Sequence, residues 1–99
     1  MTKRHKDFNE YLKERLKNTE LAIAYLNEAL TDEDQRVFLL ALRDVLAAQG
    51  NDISELALEA KINRSNIYKM LSDKGNPRWD SLKSVIDTLG LRIKLEANR

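Results

Sequence analysis

The chain of 99 residues has no cysteine, one proline, three glycines and one histidine. Without cysteine, disulfides and thiolate metal sites are excluded. The histidine, His5, lies in a polar tail with no cysteine, paired carboxylate or serine framework around it to indicate catalysis. No apolar run approaches the roughly 20 residues of a membrane span, and the polar N-terminus does not resemble a signal peptide. We therefore expect a cytoplasmic protein with no membrane contact that is not an enzyme and has no metal or cofactor.

Apolar residues make up 42% of the chain and charged residues 33%, which suits one small domain with a hydrophobic core. Glycine and proline are scarce, and alternating apolar residues are nearly missing until the end, so the sequence predicts an all-α protein. Residues 1–7 are expected to be a polar tail. The helical periodicity predicts about five to six helices, near residues 8–17, 19–30, 31–49, 52–60, 64–72 and 79–89.

Residues 52–72 are the most informative segment, because they predict two short helices joined by a sharp corner. Asp52 and Glu55 stand at capping-box spacing at the start of the first helix. Asn63 is a natural N-cap for the second helix. Residues 61–63 are all that separates the two helices, which leaves room only for a tight turn.

The second of these helices has an apolar side and a polar side. Ile67, Met70 and Leu71 fall inward at helical spacing. The outer face then consists of residues that all donate hydrogen bonds: Arg64, Ser65, Asn66, Tyr68 and Lys69. Such a helix on a rigid corner is suited to reading the major groove of double-stranded DNA. The segment is interpreted as a helix-turn-helix DNA-binding motif.

Within this motif, arginine suits guanine and asparagine suits adenine, so Arg64 and Asn66 are predicted to contact a base or a phosphate. Asn66 could instead serve only the helix end, and Tyr68 could bind a phosphate or only cover the corner. The loop around Gly75 and the next helix N-terminus could clamp a phosphate, although the turn alone could require the glycine. The full predicted DNA-binding set is Asn63, Arg64, Ser65, Asn66, Tyr68, Lys69, Lys74, Asn76 and Arg78.

The net charge of +1 indicates nothing by itself, but the charge is unevenly distributed. Residues 61–78 contain five basic residues and one acidic residue, a local balance of +4, whereas the helices before them carry mostly acids. One basic face on a nearly neutral protein can bind phosphate there and repel it elsewhere. The alternative is an ordinary solvated surface.

At the end of the chain, the spacing of the apolar residues changes from helical to alternating. Leu91, Ile93 and Leu95 alternate with Arg92 and Lys94, which is a strand pattern. The chain offers no second strand, so we expect a homodimer in which this strand pairs across a twofold axis. A disordered tail or a frayed helical extension is the alternative. A dimer would place two recognition helices on the half-sites of an inverted-repeat operator.

Several segments resemble a known family. The corner resembles the phage-repressor-like (Xre-type) helix-turn-helix proteins, with Ala57, Ile62, Ile67 and Met70 on the buried positions of that motif. The rest of the chain is similar to the addiction-module antidote proteins, a HigA-like antitoxin family. The segments that carry this similarity are residues 25–30, 38–45, 68–72, 75–80 and 89–91, within a resemblance that covers roughly residues 11–95.

The resemblance implies a phage-repressor-like bundle and an antitoxin that binds its own operator and neutralises a RelE/HigB-like ribonuclease toxin, a small basic protein. Lys61 stands where the corner usually has a glycine with positive φ, which would cost about 1 kcal/mol of strain. Ile53 stands where many phage repressors have glutamine. The base preferences of phage repressors for their operators are therefore not assigned to the residues of this chain.

The predicted organisation is a polar arm and first helix in residues 1–18, the DNA-binding domain in residues 19–90, and a strand and tail in residues 91–99. Residues 8–30 could extend the core or dock a partner, and Trp79 could be a core or an interface anchor. Two other functions remain open: a transcription regulator without a toxin, and a helical protein-interaction module. An adjacent reading frame for a small basic ribonuclease would favour the antitoxin.

Overall fold

Six α-helices make up the ordered secondary structure of residues 2–98, whose backbone the computed structural model describes, with side chains for residues 8–98. Their bounds are α1 Thr2–Leu16, α2 Thr19–Leu30, α3 Gln35–Ala48, α4 Ile53–Ala60, α5 Arg64–Met70 and α6 Trp79–Thr88. The all-α prediction is confirmed. None of the helices in this part of the chain is long and apolar enough to cross a membrane.

Asparagine and aspartate begin four of the helices, because their side-chain oxygens accept from backbone N–H groups that a first turn leaves open. These N-caps are Asn18, Asp34, Asp52 and Asn63. The predicted start of α3 at Thr31 is wrong: Thr31 ends α2, and its hydroxyl donates to the carbonyl of Glu28 at 2.7 Å. The carboxylate of Asp34, three residues later, caps α3 instead.

The first helix begins earlier than predicted, at Thr2 instead of Phe8. Residues 2–7 contain no glycine or proline, and their lysines and arginine favour a helix, so nothing in the sequence stops the helix at Phe8. The side chain of His5, for which a solvent role is expected, lies outside the described side chains.

Helix α3 packs against α1 and α2, whereas α4 packs against α5 and α6. One continuous hydrophobic cluster links the two groups. Its most deeply buried large side chains are Leu42, Val45, Leu46, Ile67 and Val85. Because Ile67 of α5 is part of this cluster, the orientation of α5 is set by the core of the whole chain.

The predicted apolar stripes of α1 and α2 are only partly buried. Leu16 and Leu26 lie in the core as predicted, and Leu12 packs against it. Phe8 and Tyr11 are each 59% exposed, which contradicts their predicted inward position. The same is true of two apolar residues of α2, Ile23 and Leu30. Among the described side chains of α1, Leu12 and Leu16 contact the core, whereas the aromatic side chains of Phe8 and Tyr11 extend into solvent.

In the last quarter of the chain, Trp79 is 61% exposed, which excludes a core anchor and leaves the interface anchor. The predicted C-terminal strand is not found: residues 91–98 contain no strand, and no strand occurs anywhere in residues 2–98. The backbone N–H of Leu91 donates to the carbonyl of Ile86 at 3.2 Å, and the Leu91 side chain packs against the hydrophobic core. A single chain has no second strand with which this segment could form a ladder.

Candidate nucleic-acid interface

The corner between α4 and α5 is fixed by an unusual backbone conformation at Lys61. This residue has φ 58° and ψ 42°, the left-handed region, as expected for the position where similar corners have glycine. The conformation ends α4 and lets the backbone N–H of Ile62 donate to the carbonyl of Ala57 at 3.0 Å. Ile62 is half-buried against the core, so it fills the inside of the corner. The sequence-based description of the turn is confirmed.

Each helix of the corner starts with a side-chain cap. The carboxylate of Asp52 accepts from the backbone N–H of Ser54 at 2.9 Å. The reciprocal capping-box bond predicted for Glu55 is not formed within residues 2–98, where Glu55 is exposed. At α5, the side-chain oxygen of Asn63 accepts from both the backbone N–H and the hydroxyl of Ser65, at 2.9 and 2.7 Å. Asn63 and Ser65 thus stabilise the first turn of α5.

The outer face of α5 has the predicted composition. Ile67 and Met70 are buried, whereas the five predicted contact residues on this helix are exposed: Arg64, Ser65, Asn66, Tyr68 and Lys69. The guanidinium carbon of Arg64 lies 5.8 Å from the centroid of the Tyr68 ring, a cation–π contact one helical turn apart. This contact was not predicted, although the i, i+4 spacing of the two residues permits it. It holds Arg64 along the exposed face.

The loop after α5 is pressed against the end of that helix. Gly75 is buried, and a Cβ atom at this position would overlap the backbone carbonyl of Met70. The hydroxyl of Ser72 donates to the carbonyl of Lys69 at 2.8 Å and accepts from the backbone N–H of Lys74 at 3.3 Å. The close approach by itself requires a glycine at this position, as the sequence-based alternative allowed. The loop brings Lys74 and Asn76, both exposed, next to the C-terminal end of α5.

The first turn of α6 is less suited to an anion than expected. Arg78 is the N-cap residue, but its side chain makes no capping bond. Its guanidinium instead forms an exposed ion pair with Asp80 at 3.2 Å. The carboxylate of Asp80 also accepts from the backbone N–H of Ser81 at 2.8 Å. A carboxylate at the helix N-terminus competes with a phosphate for the same positive potential. The basic loop residues are therefore better placed as phosphate contacts than the α6 N-terminus.

A groove of about 420 Å³ lies on the body of the chain, and the sequence did not indicate it. Its lining is mostly apolar and comes from α2, α3, α6 and the loops around them, together with the C-terminal segment. The residues that matter here are Leu30, Phe38, Trp79, Leu82, Ile86 and Ile93. Leu30 and Trp79 each leave about three fifths of their surface in solvent, at 60% and 61%. Grouped exposure of large apolar side chains is typical of an interaction surface.

Comparison with known proteins gives the family of the chain. No solved structure matches it. An uncharacterized protein of Haemophilus influenzae is 34% identical over 99 residues, which span all of this chain and 98% of that relative. The sequence model of a family described as "probable addiction module antidote protein" matches residues 4–97. An antidote is the antitoxin of such a module, which indicates a toxin–antitoxin role and a toxin partner. The chain thus belongs to the addiction-module antidote protein family.

Proposed function

We propose that the protein is a dimeric DNA-binding antitoxin that represses its own operator and neutralises a RelE/HigB-like ribonuclease toxin. The observation that carries the DNA-binding part is the exposed donor face of α5, held on a corner that the core orients. In this proposal the α4–α5 corner is a helix-turn-helix motif of the Xre type, and α5 is its recognition helix. The protein acts by binding, and we assign it no catalytic residue.

Within α5, the first turn would reach the base edges, because recognition helices present their N-terminal residues to the groove. Arg64 and Asn66 are exposed there and carry the side chains that suit guanine and adenine. The hydroxyl hydrogen of Ser65 is engaged by Asn63, which leaves the Ser65 oxygen as an acceptor. Lys69 and Lys74 would contact phosphates.

The homodimer is proposed to form through the C-terminal segment. Residues 91–98 alternate apolar and charged side chains, and the single chain gives their backbone no ladder partner. The same segment of a second subunit, related by a twofold axis, would supply that partner. Two copies of α5 related by the same axis would fit an inverted-repeat operator.

The toxin partner follows from membership of an antidote family. For its docking surface, the sequence left open whether the N-terminal helices only extend the core. The exposed aromatic side chains of Phe8 and Tyr11 favour docking, since two aromatic rings on a solvent-facing helix are typical anchors of an interface. Tyr11 also lies under the guanidinium of Arg15, at 5.5 Å, which limits its side-chain freedom before binding.

A reporter gene under the upstream DNA of the protein's own gene tests this function in a host that lacks the module. We expect the wild-type chain to repress the reporter and Arg64→Ala to relieve repression at an equal protein level. Arg43→Ala is the matched control, because Arg43 is exposed on α3 and outside the proposed DNA contacts. Repression that survives Arg64→Ala would remove α5 from operator recognition. A reading frame for a ribonuclease next to the gene would distinguish an antitoxin from a transcription regulator without a toxin.

A further inference from the structure

The C-terminal segment, residues 91–98, borders the apolar groove, and residues 92–98 are exposed. Ile93 lines the groove and is 44% exposed, and Leu95 is 92% exposed. Within the described chain, residues 92–98 form no backbone-to-backbone hydrogen bond. A segment whose backbone N–H and C=O groups are open can pair with another strand, as the edge of a sheet does.

We propose that a second copy of the chain covers this groove, and that the two C-terminal segments pair antiparallel about a twofold axis through Lys94. The inference rests on the homodimer of the proposed function and specifies which residues meet in it. In this register each Ile93 lies opposite the partner subunit's Leu95, with Cβ atoms about 4.5–5.5 Å apart. The partner's Leu95 then lies at the mouth of the groove, near the exposed ring of Trp79.

Side-chain alternation limits the registers. Directly opposite residues of an antiparallel pair point to the same face. Because Leu91, Ile93 and Leu95 share one face, their partners must be apolar as well. An axis that passes between two residues, such as Ile93 and Lys94, would place Leu95 opposite Arg92. An axis through a residue keeps apolar side chains opposite apolar side chains.

The charges distinguish the register with the axis through Lys94 from the register with the axis through Ile93. With the axis through Lys94, Arg92 lies opposite Glu96 on both sides of the axis. The one like-charge pair is Lys94 with its own copy, whose long side chains can turn apart into solvent. With the axis through Ile93, Arg92 would lie opposite Lys94 twice, and Glu96 would face Gly90. Opposite charges across strands stabilise the pair and like charges destabilise it, so the charges favour the axis through Lys94.

The apolar groove disfavours the third register, in which the axis passes through Leu95. With the axis through Leu95, Lys94 would lie opposite Glu96, which is also a favourable pair. However, Ile93 would then face Ala97, and each Leu95 would meet its own copy on the axis, away from the groove. Only the axis through Lys94 combines two opposite-charge pairs with a large apolar side chain of the partner beside Ile93.

Sedimentation equilibrium of the full chain and its variants tests this register. Arg92→Glu places an acid opposite Glu96, and we expect the dimer dissociation constant to rise roughly tenfold. The double variant Arg92→Glu with Glu96→Lys restores opposite charges and should return the constant to within about threefold of wild type. Lys94→Glu exchanges one like-charge pair for another and should leave it nearly unchanged. Arg43→Glu, with the same charge change on α3, is the control.

Other results would overturn the proposal in distinguishable ways. A tighter dimer with Arg92→Glu would place the axis at Ile93. A weaker dimer with Lys94→Glu alone would place it at Leu95. A wild-type chain that stays monomeric at every concentration would overturn the proposed homodimer itself, together with the register.

Fluorescence of Trp79, the single tryptophan, tests the cover over the groove. We expect its emission to shift to shorter wavelength as the dimer forms, at the concentrations found by sedimentation. Leu95→Ala should remove most of that shift. Dimer formation with no change in Trp79 emission would show that the groove lies outside the interface and would overturn the proposal.

Discussion

Gly75 lies against the backbone carbonyl of Met70, with no room for a side chain between them. This contact joins the loop that carries Lys74 and Asn76 to the end of α5. The two predicted groups of DNA contacts, one on the helix and one on the loop, are therefore held together by backbone contact. A substitution at Gly75 should therefore displace the predicted DNA contacts on α5 as well as those on the loop.

Gly75→Ala is expected to destabilise the fold by about 1–3 kcal/mol, since the added methyl group must displace the backbone where the loop meets the end of α5. Urea denaturation measures this change in the free energy of unfolding. Lys83→Ala, an exposed substitution on α6, is the control and should change stability by less than about 0.5 kcal/mol. If Gly75→Ala were equally harmless, the loop would not be fixed to α5 as described.

Lys61 adopts positive φ without being glycine. Lys61→Gly should raise the free energy of unfolding by about 0.5–1 kcal/mol, because relief of left-handed strain outweighs the extra freedom of glycine in the unfolded chain. Glu59→Gly, two residues earlier and inside α4, should instead lower it by about 1 kcal/mol. Thermal or urea unfolding of the two variants gives the comparison. A loss of stability in both would indicate that Lys61 is not strained.

Tyr25 links α2 to α3 through a hydrogen bond in which its hydroxyl donates to the carboxylate of Asp44 at 2.8 Å. Burial, then the hydrogen bond to Asp44 and the negative charge of that residue, raise the pKa of Tyr25 from about 10 to about 12. The raised pKa means that the folded chain holds this proton more tightly than the unfolded chain. The stabilisation is therefore complete below pH 10 and is lost as the pH rises towards 12.

Tyr25→Phe should lower the free energy of unfolding at neutral pH by about 1 kcal/mol, because a hydrogen bond is lost and Asp44 keeps an unpaired acceptor. The difference from wild type should shrink between pH 10 and pH 12, which urea titrations at several pH values can follow. Tyr68→Phe, at an exposed tyrosine, is the matched control. A constant difference across that range would contradict the proposed role of the Tyr25 proton.

The exposed aromatic pair on α1 gives a prediction about the toxin. Replacement of both Phe8 and Tyr11 by alanine should weaken binding of the neighbouring toxin by roughly tenfold or more, since buried aromatic anchors dominate interface energies. Operator binding should be unchanged. Calorimetry with the toxin encoded next to the gene measures the first effect. Leu58→Ala removes an apolar side chain that is 80% exposed on α4 and should leave toxin affinity intact.

The corner could be predicted closely because its signals are local. Asn63 is a strong N-cap by residue type, and the inward positions of Ile67 and Met70 follow from helical spacing. The positive φ of Lys61 was expected from the place it occupies in the motif. Local spacing therefore predicted which side of α5 faces solvent, although it could not test which of those side chains bind DNA.

Other features depend on tertiary packing, which local patterns do not show. Thr31 and Asp34 are both good caps by residue type, and the sequence did not distinguish between them, whereas the structure has Asp34 as the cap of α3. Phe8 and Trp79 have the composition of core residues but extend beyond what the neighbouring helices cover. The apolar groove is formed by residues from distant parts of the chain, so no single segment could reveal it. The apolar stripes predicted for α1 and α2 are only partly buried for the same reason: the neighbouring helices cover only part of each stripe.

The most direct test of operator recognition is a titration of the purified protein against its own upstream DNA and a scrambled duplex at two salt concentrations. We expect tight binding to the upstream DNA in units of two protomers, weaker binding at the higher salt, and loss of the preference in Arg64→Ala. Equal affinity for both duplexes, or no binding to either, would contradict sequence-specific recognition by α5. The function would then lie in protein contacts alone.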